Sequence, residues 1–178
     1  MATKITTGKV RFSFCNLFTA QVPTGGGDPK YSVTLLIPKT DTATKAKIDQ
    51  AMQEAAELFR QKNGTASIPA KFNHTLHDGD GLRDSGEAYG PECKGHWVIT
   101  VSSKRPPVIV DAEKQEIVDP NEVYSGCYGR ACINFYGYNS NGKKGVSAGL
   151  LSVQKLADGE PFGLVGSADD FDDDDLLS

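Results

Sequence analysis

Tyr128-Gly129-Arg130-Ala131-Cys132-Ile133-Asn134-Phe135-Tyr136-Gly137-Tyr138 is the stretch that decides the fold. Successive side chains of a strand point to opposite faces. Ala131, Ile133 and Phe135 therefore share one side, and Tyr128, Arg130, Cys132, Asn134, Tyr136 and Tyr138 share the other. The first set is apolar and reads as core. The second is aromatic and polar around an arginine, which suits either cross-strand packing or a platform on which bases stack. Glycines at 129 and 137 inside so long a strand, and at 95 and 149 within its neighbours, point to bends or bulges, the device by which a sheet coils into a small barrel.

Working outward, the same strand begins at Cys127, and Asn139 to Gly145 forms a turn with an Asn-Gly signal. Val146 to Leu156 is the returning strand, with Gly149 inside it. Upstream, His96 to Ser102 is a strand that Trp97 opens just after Gly95, and Val108-Ile109-Val110 and Ile117-Val118 flank a hairpin turn at Asp111 to Gln115. Nearer the start, Lys9 to Cys15 alternates, placing Val10, Phe12 and Phe14 on one face and Lys9, Arg11 and Ser13 on the other. Gly25-Gly26-Gly27-Asp28-Pro29 breaks the chain. Tyr31 to Ile37 is apolar on both faces, as a buried strand is, and Pro38 ends it.

One helix stands out. Thr40 or Asp41 can cap it, Ile48, Ala51, Met52, Ala55, Leu58 and Phe59 recur at helical spacing, and Asn63-Gly64 closes it. Residues 64–95 read as a long excursion. The sum is a mainly β domain, an OB-fold-like five-stranded barrel with one amphipathic α-helix and long loops, over residues 1–157. Residues 158–178 read as a flexible acidic C-terminal tail.

That tail sets the sign of the protein's charge. The 178-residue chain carries −4, and without the six aspartates of residues 169–178 it carries +2. Asp169, Asp170, Asp172, Asp173, Asp174 and Asp175 account for solubility and disorder. Phe171, Leu176 and Leu177 do not, because apolar groups add nothing to solubility; they suit docking to a basic, aromatic groove or to a partner protein. No apolar run approaches the ~20 residues that span a bilayer, and no apolar signal region opens the chain. The expectation is a cytoplasmic protein with no membrane partner, whose Cys15, Cys93, Cys127 and Cys132 are reduced thiols.

Several groups can meet a nucleic acid. Lys9 and Arg11 lie on the solvent face of their strand, Lys104 and Arg105 form a basic loop stiffened by Pro106-Pro107, and Lys143 and Lys144 sit in the turn after the tyrosine-bearing strand. Arg130 is central to that strand. These cations would neutralise phosphates, while Tyr128, Tyr136, Tyr138 and Trp97 would stack bases. Each also has a plain reading, as a solvated charge or, for Trp97, as core.

His74-x-x-His77 followed by Cys93-x-x-His96 has ligand-like spacing for zinc but matches no standard finger. His77-Asp78-Gly79-Asp80 is a weak hint of a metal-dependent nuclease, since Asp-Gly is ordinary turn chemistry. Thr24 to Asp28 lacks the Lys-Ser/Thr of a phosphate-binding loop. No cofactor and no catalytic residue is assigned.

The chain resembles the phage single-stranded DNA-binding proteins that have one OB-fold and an acidic C-terminal tail. The resemblance rests on Tyr31 to Lys39 before the helix, Lys104 to Asp111, Tyr124 to Ala131, Gly142 to Leu150 and the tail. It implies largely sequence-independent binding of single-stranded DNA in phage replication and recombination, in the cytoplasm of the infected bacterial host. It also implies that the tail competes with DNA and recruits replication proteins. A groove built on phosphate contact also admits duplex DNA as a partner. Two other readings stay open: an interaction or virion-assembly protein whose tail docks a basic partner, and a metal-dependent nuclease.

Overall fold

A computed structural model of the protein describes residues 3–22, 26–63, 73–74, 76–82, 86–140 and 143–162. Among these lie one α-helix and nine strands: β1 (Lys4–Thr6), β2 (Val10–Gln21), β3 (Lys30–Pro38), α1 (Thr42–Asn63), β4 (Asn73–His74), β5 (Leu76–Asp78), β6 (His96–Ser103), β7 (Val108–Val110), β8 (Tyr128–Ser140) and β9 (Lys143–Ala157).

Five of the strands run round a ring. β2 pairs with β3, β3 with β6 over eight residue pairs from Tyr31–Ser103 to Pro38–His96, and β8 with β9 from Tyr128–Ala157 to Ser140–Lys143. The two remaining joins are short. β6 meets β9 in parallel at Ser102–Gly149, and β8 meets β2 at Val10–Gly129 and Arg11–Tyr128. The result is an OB-like barrel that is only just closed, as the alternation and the internal glycines of β8 imply. Register shifts interrupt the β8–β9 pairing at Tyr128–Gly129 and at Cys132–Ile133, where β9 carries the extra residues Leu156 and Leu151.

The core fills the barrel. Phe12, Val33, Leu35, Ile37, Ile99, Val101, Ala131, Ile133, Phe135, Ala148 and Leu150 are buried. β8 thus behaves as its period predicts. β2 does not: Phe12 is buried, but Phe14 is 65% exposed and Ser13 is buried. The cause is an irregularity in the β2–β3 register between Ser13 and Asn16, with Phe14 at a φ of 48°. One added residue moves every later side chain to the opposite face.

The helix begins as expected. Asp41 accepts bonds from the Thr44 amide at 3.1 Å and from its hydroxyl at 2.6 Å, satisfying donors that a helix start leaves free. Ile48, Ala51, Met52 and Ala55 are buried and Phe59 packs against the core. Leu58 leaves the expected stripe and is exposed; at 100° per residue it lies about 80° round the helix from Ile48. Phe59 sits where a β-carbon of residue 137 would be, so Gly137 lets the helix lie directly on β8. Gly64 lies outside the described residues. Gly95 stands in the turn before β6, at a φ of 74°, not within a strand.

Beyond β9 the chain stays on the barrel to Phe162: the Tyr124 hydroxyl bonds Gly159, and the Phe162 amide donates to the Ser125 carbonyl at 3.2 Å. Among the described residues, no helix is long and apolar enough to cross a membrane. All four cysteines are free thiols; burial, with Cys127 nearby, pushes the Cys15 thiol up to about 12. It is therefore protonated and a poor nucleophile.

Candidate nucleic-acid interface

The outward faces of β3 and β6 carry hydroxyls. Alternation sends Val33, Leu35 and Ile37 inward and Ser32, Thr34 and Leu36 outward. On β6 the outward set is Val98, Thr100 and Ser102, register-paired with the first as Leu36–Val98, Thr34–Thr100 and Ser32–Ser102. The Thr34 and Thr100 hydroxyls bond to each other at 2.9 Å. The burial expected on both faces of β3 holds from Val33 to Ile37, since Thr34 and Leu36 on the outer face are buried as well. The outer face is the floor of a depression whose rim includes Phe14, His77, Tyr89 and Cys93.

A second depression continues the first. Ser102, paired with Ser32, lines it together with Lys30, Ser103, Lys104, Asn134, Tyr136 and Gly149. Gly149 is the residue where β9 meets both Ser102 of β6 and Asn134 of β8. The path therefore runs along β3 and β6, then over the barrel join onto β8. It has an aromatic side chain near each end, Phe14 and Tyr136, and two lysines at one end. Lys104 pairs with Asp28 at 2.9 Å with both side chains well exposed. The Lys104 hydrogen bond holds the Asp28 carboxyl below the usual range, with Lys104 and Lys30 adding charge attraction. A phosphate at this point would exchange one anion for another.

Of the residues expected from sequence, Lys104, Tyr136 and the neighbouring Arg105 meet this description. Arg105 is exposed beside Lys104, and its amide is bonded to the Ser103 hydroxyl at 3.1 Å. Tyr138 follows Tyr136 on the same side of β8, opposite Gly145. Lys143 and Lys144 pair through their backbones with Ser140 and Asn139; their side chains lie outside the described residues. So do the tail aspartates, Phe171, Leu176 and Leu177.

The other expected residues stand elsewhere. Tyr128 is eight residues from Tyr136, about 26 Å along an extended strand. There Lys9 lies 5.0 Å and Arg11 5.2 Å from the Tyr128 ring centre. Arg11 also donates to the carbonyls of Gly126 at 2.9 Å and Glu160 at 2.6 Å, and covers the Phe162 ring at 4.2 Å. Arg130 is exposed, with its Nε on the Thr7 carbonyl at 3.2 Å. Trp97 shares the inward parity of Ile99 and Val101, at the end of the barrel, where Lys39 and Lys45 lie 4.9 and 4.7 Å from its ring. It does not join the tyrosine face.

The metal hints resolve into structure. Asp78 and Asp80 both bind Lys39, at 2.6 and 2.7 Å, and those bonds hold both carboxyls below their usual range. They tie the excursion before β6 to the end of β3. Cys93 is buried against Leu36 and Val98, the His96 Nδ1 lies 2.8 Å from the Lys94 carbonyl, and the His74 side chain lies outside the described residues. Among the described residues no three candidate ligands gather.

Sequence reasoning missed Phe14, Lys30, Tyr89 and the serine–threonine stripe. The stripe had a signal: Ser32, Thr34, Thr100 and Ser102 recur at a spacing of two. Phe14 had none, because nothing in the alternation marks the bulge.

The sequence model of the family described as the ssDNA-binding protein of Enterobacter phage Enc34 matches residues 3–177. The chain belongs to this family. Protein p50 of Acyrthosiphon pisum secondary endosymbiont phage 1 is 35% identical over 180 residues, covering 96% of this chain and 93% of that protein. The solved structure of the phage Enc34 single-stranded DNA-binding protein, in complex with ssDNA, superposes with a TM-score of 0.73 at 32% identity, over 90% of each chain. The fold, without close sequence kinship, is shared with gp2.5 of bacteriophage T7, a single-stranded DNA-binding protein, at TM-score 0.63 and 13% identity over 91% of this chain and 96% of that one.

Proposed function

We propose that this member of the Enc34 family binds single-stranded DNA along the continuous outer path of β3, β6 and β8, during phage DNA replication. It is a binding protein and not an enzyme. The observation that carries the assignment of the site is the continuity of the path: Phe14 at one end, the paired hydroxyls Thr34–Thr100 and Ser32–Ser102 along the floor, and Lys30, Lys104 and Tyr136 at the other. Stacking is indifferent to base identity, and hydroxyls and lysines meet the sugar–phosphate backbone, so binding is largely independent of sequence.

In this reading Lys104, Arg105 and the Lys143–Lys144 turn supply phosphate contacts, and Tyr138 extends the platform of Tyr136. Residues 169–175, six aspartates around Phe171, imitate the anion-plus-ring pattern of the strand, compete for the path and recruit replication proteins when DNA displaces them. The host cytoplasm is where such a protein acts.

The test is equilibrium binding of a labelled oligothymidylate over a salt series, with duplex as competitor. Affinity should fall with salt at a log–log slope of about −0.7 per phosphate contacted, and Phe14→Gly should weaken binding without lowering thermal stability. An affinity indifferent to salt, or a Phe14→Gly protein that binds as tightly as the parent, overturns the assignment.

A further inference from the structure

After β9 the chain crosses the barrel surface through a set of contacts too specific for a loose linker. The Tyr124 hydroxyl donates to the Gly159 carbonyl at 2.9 Å and accepts from the Gly159 amide at 3.1 Å. The Arg11 guanidinium bridges the carbonyls of Gly126 and Glu160 and lies against the rings of Tyr128 and Phe162. The backbones themselves interlock. Gly126, at a φ of 118°, has the Glu160 carbonyl where a β-carbon would stand, and a β-carbon at Gly159 would run into the Gly126 carbonyl and the Tyr128 ring. Phe162 then packs with Tyr89 on the cluster of Leu36, Cys93 and Val98. Those last four residues also line the first depression of the DNA path.

We infer that residues 158–162 are a strap that fixes the point at which the acidic segment leaves the barrel, at the Leu36–Val98 end of the path, and thereby sets how strongly that segment competes with DNA. The inference rests on the competition proposed above. A tethered competitor acts at an effective concentration that falls roughly as the −3/2 power of tether length. Held at Phe162, Phe171 is nine residues from its anchor; freed back to Ala157, it is fourteen. That ratio lowers the effective concentration about twofold, before any loss from starting on the wrong side of the barrel.

The strap and the competition differ in kind. Competition is between charges and is screened over a Debye length of about 8 Å in physiological salt. Most strap contacts are to neutral carbonyls, a hydroxyl and rings, and those of the Asp158 carboxylate, with Lys155 at 2.6 Å and the Tyr124 hydroxyl at 3.3 Å, are the exceptions. Salt therefore weakens the competitor while leaving its anchor in place.

The experiment uses four proteins: the full chain, residues 1–162, and Gly159→Ala in each. Among the described residues, every buried residue of the hydrophobic core lies at or before Val153, so the shorter chain keeps the whole barrel and the strap. Two readouts are taken, binding of a labelled oligothymidylate and hydrogen exchange at the Gly159 and Phe162 amides. Gly159→Ala should speed exchange at those amides and leave the β3 and β6 amides protected. It should tighten DNA binding of the full chain about twofold or more, and change nothing in residues 1–162. Faster exchange with unchanged affinity of the full chain overturns the strap's role, as does an equal shift in both backgrounds. If removing residues 163–178 alone leaves affinity unchanged, the competition reading fails, and the strap's role with it. Should Gly159→Ala fail to fold, Tyr124→Phe removes only the bridging hydroxyl and reads out the same way.

Discussion

The two ends of β8 carry the same chemistry and do different work. Tyr128 and Tyr136 face the same side of the strand, each with two cations near it: Lys9 and Arg11 at one end, Lys30 and Lys104 at the other. At the Tyr128 end the partners are the protein's own. Arg11 is committed to two backbone carbonyls and two rings, and the chain after β9 lies across the site. At the Tyr136 end the side chain is 44% exposed in an open depression, and the ion-pair partner of Lys104 among the described residues is the exposed Asp28. An aromatic ring beside cations is a binding platform only where the fold leaves its face unspent.

The sharpest break in that comparison is stacking. Tyr136→Ala should weaken binding of single-stranded DNA by about 1–3 kcal/mol, roughly 5- to 150-fold, with little effect on the melting temperature. Tyr128→Ala should do the reverse, lowering the melting temperature while folded residues 1–162 bind DNA as before. Equal losses of affinity in the two variants, measured by fluorescence anisotropy, would merge the two ends into one site.

Charge removal separates the ends next. Arg11→Ala loses two hydrogen bonds from a charged donor, each worth about 1.5 kcal/mol or less at a partly exposed position, and should destabilise the fold while leaving the salt slope of DNA binding unchanged when both are measured in residues 1–162, where no acidic segment competes. Lys104→Ala should leave stability alone, because an exposed ion pair contributes ~1 kcal/mol at most, and should make the salt slope shallower by about 0.7. A changed slope in Arg11→Ala would return that residue to the DNA path.

The smallest expected effect is one of pH at the Tyr128 end. The hydrogen bond and charge of Lys155, with a bond from Tyr124, hold the Asp158 carboxyl below its usual range. A carboxyl depressed in the folded state stabilises it above the unfolded value, about pH 3.9, and that contribution is lost as pH falls through the depressed folded value. Hydrogen exchange at Gly159 and Phe162 should therefore accelerate on acidification below about pH 4, ahead of β8. Asp158→Asn should abolish that step, and its persistence in the variant would assign it to another group.

Much of this was legible in the chain. The period of β8, its internal glycines, the helix with its Asp41 cap and the hairpin at Asp111–Gln115 all follow from local rules. The hairpin closes through the Asp111 amide on the Gln115 carbonyl at 2.9 Å. Phe14 was not legible, since a bulge leaves the alternation of residue types intact while reversing which side they face. Nor was Trp97: its parity is set by the eight-pair register of β6 against β3, and reading the strand alone leaves its face open. Arg11 looks like a solvent-facing cation in sequence because its carbonyl acceptors, at Gly126 and Glu160, are more than a hundred residues away, and so does Lys9, whose neighbour is the equally distant Tyr128 ring.

The sequence by itself determined a β barrel with one helix, a basic body and an acidic end, because periodicity and charge are local properties that survive without partners. Tertiary structure alone decided which aromatic and basic residues keep an open face for a ligand. Availability depends on what else packs against a ring or a guanidinium, and those neighbours, the Ser125–Gly126 turn and residues 158–162, reach Arg11 and Tyr128 only once the barrel has closed.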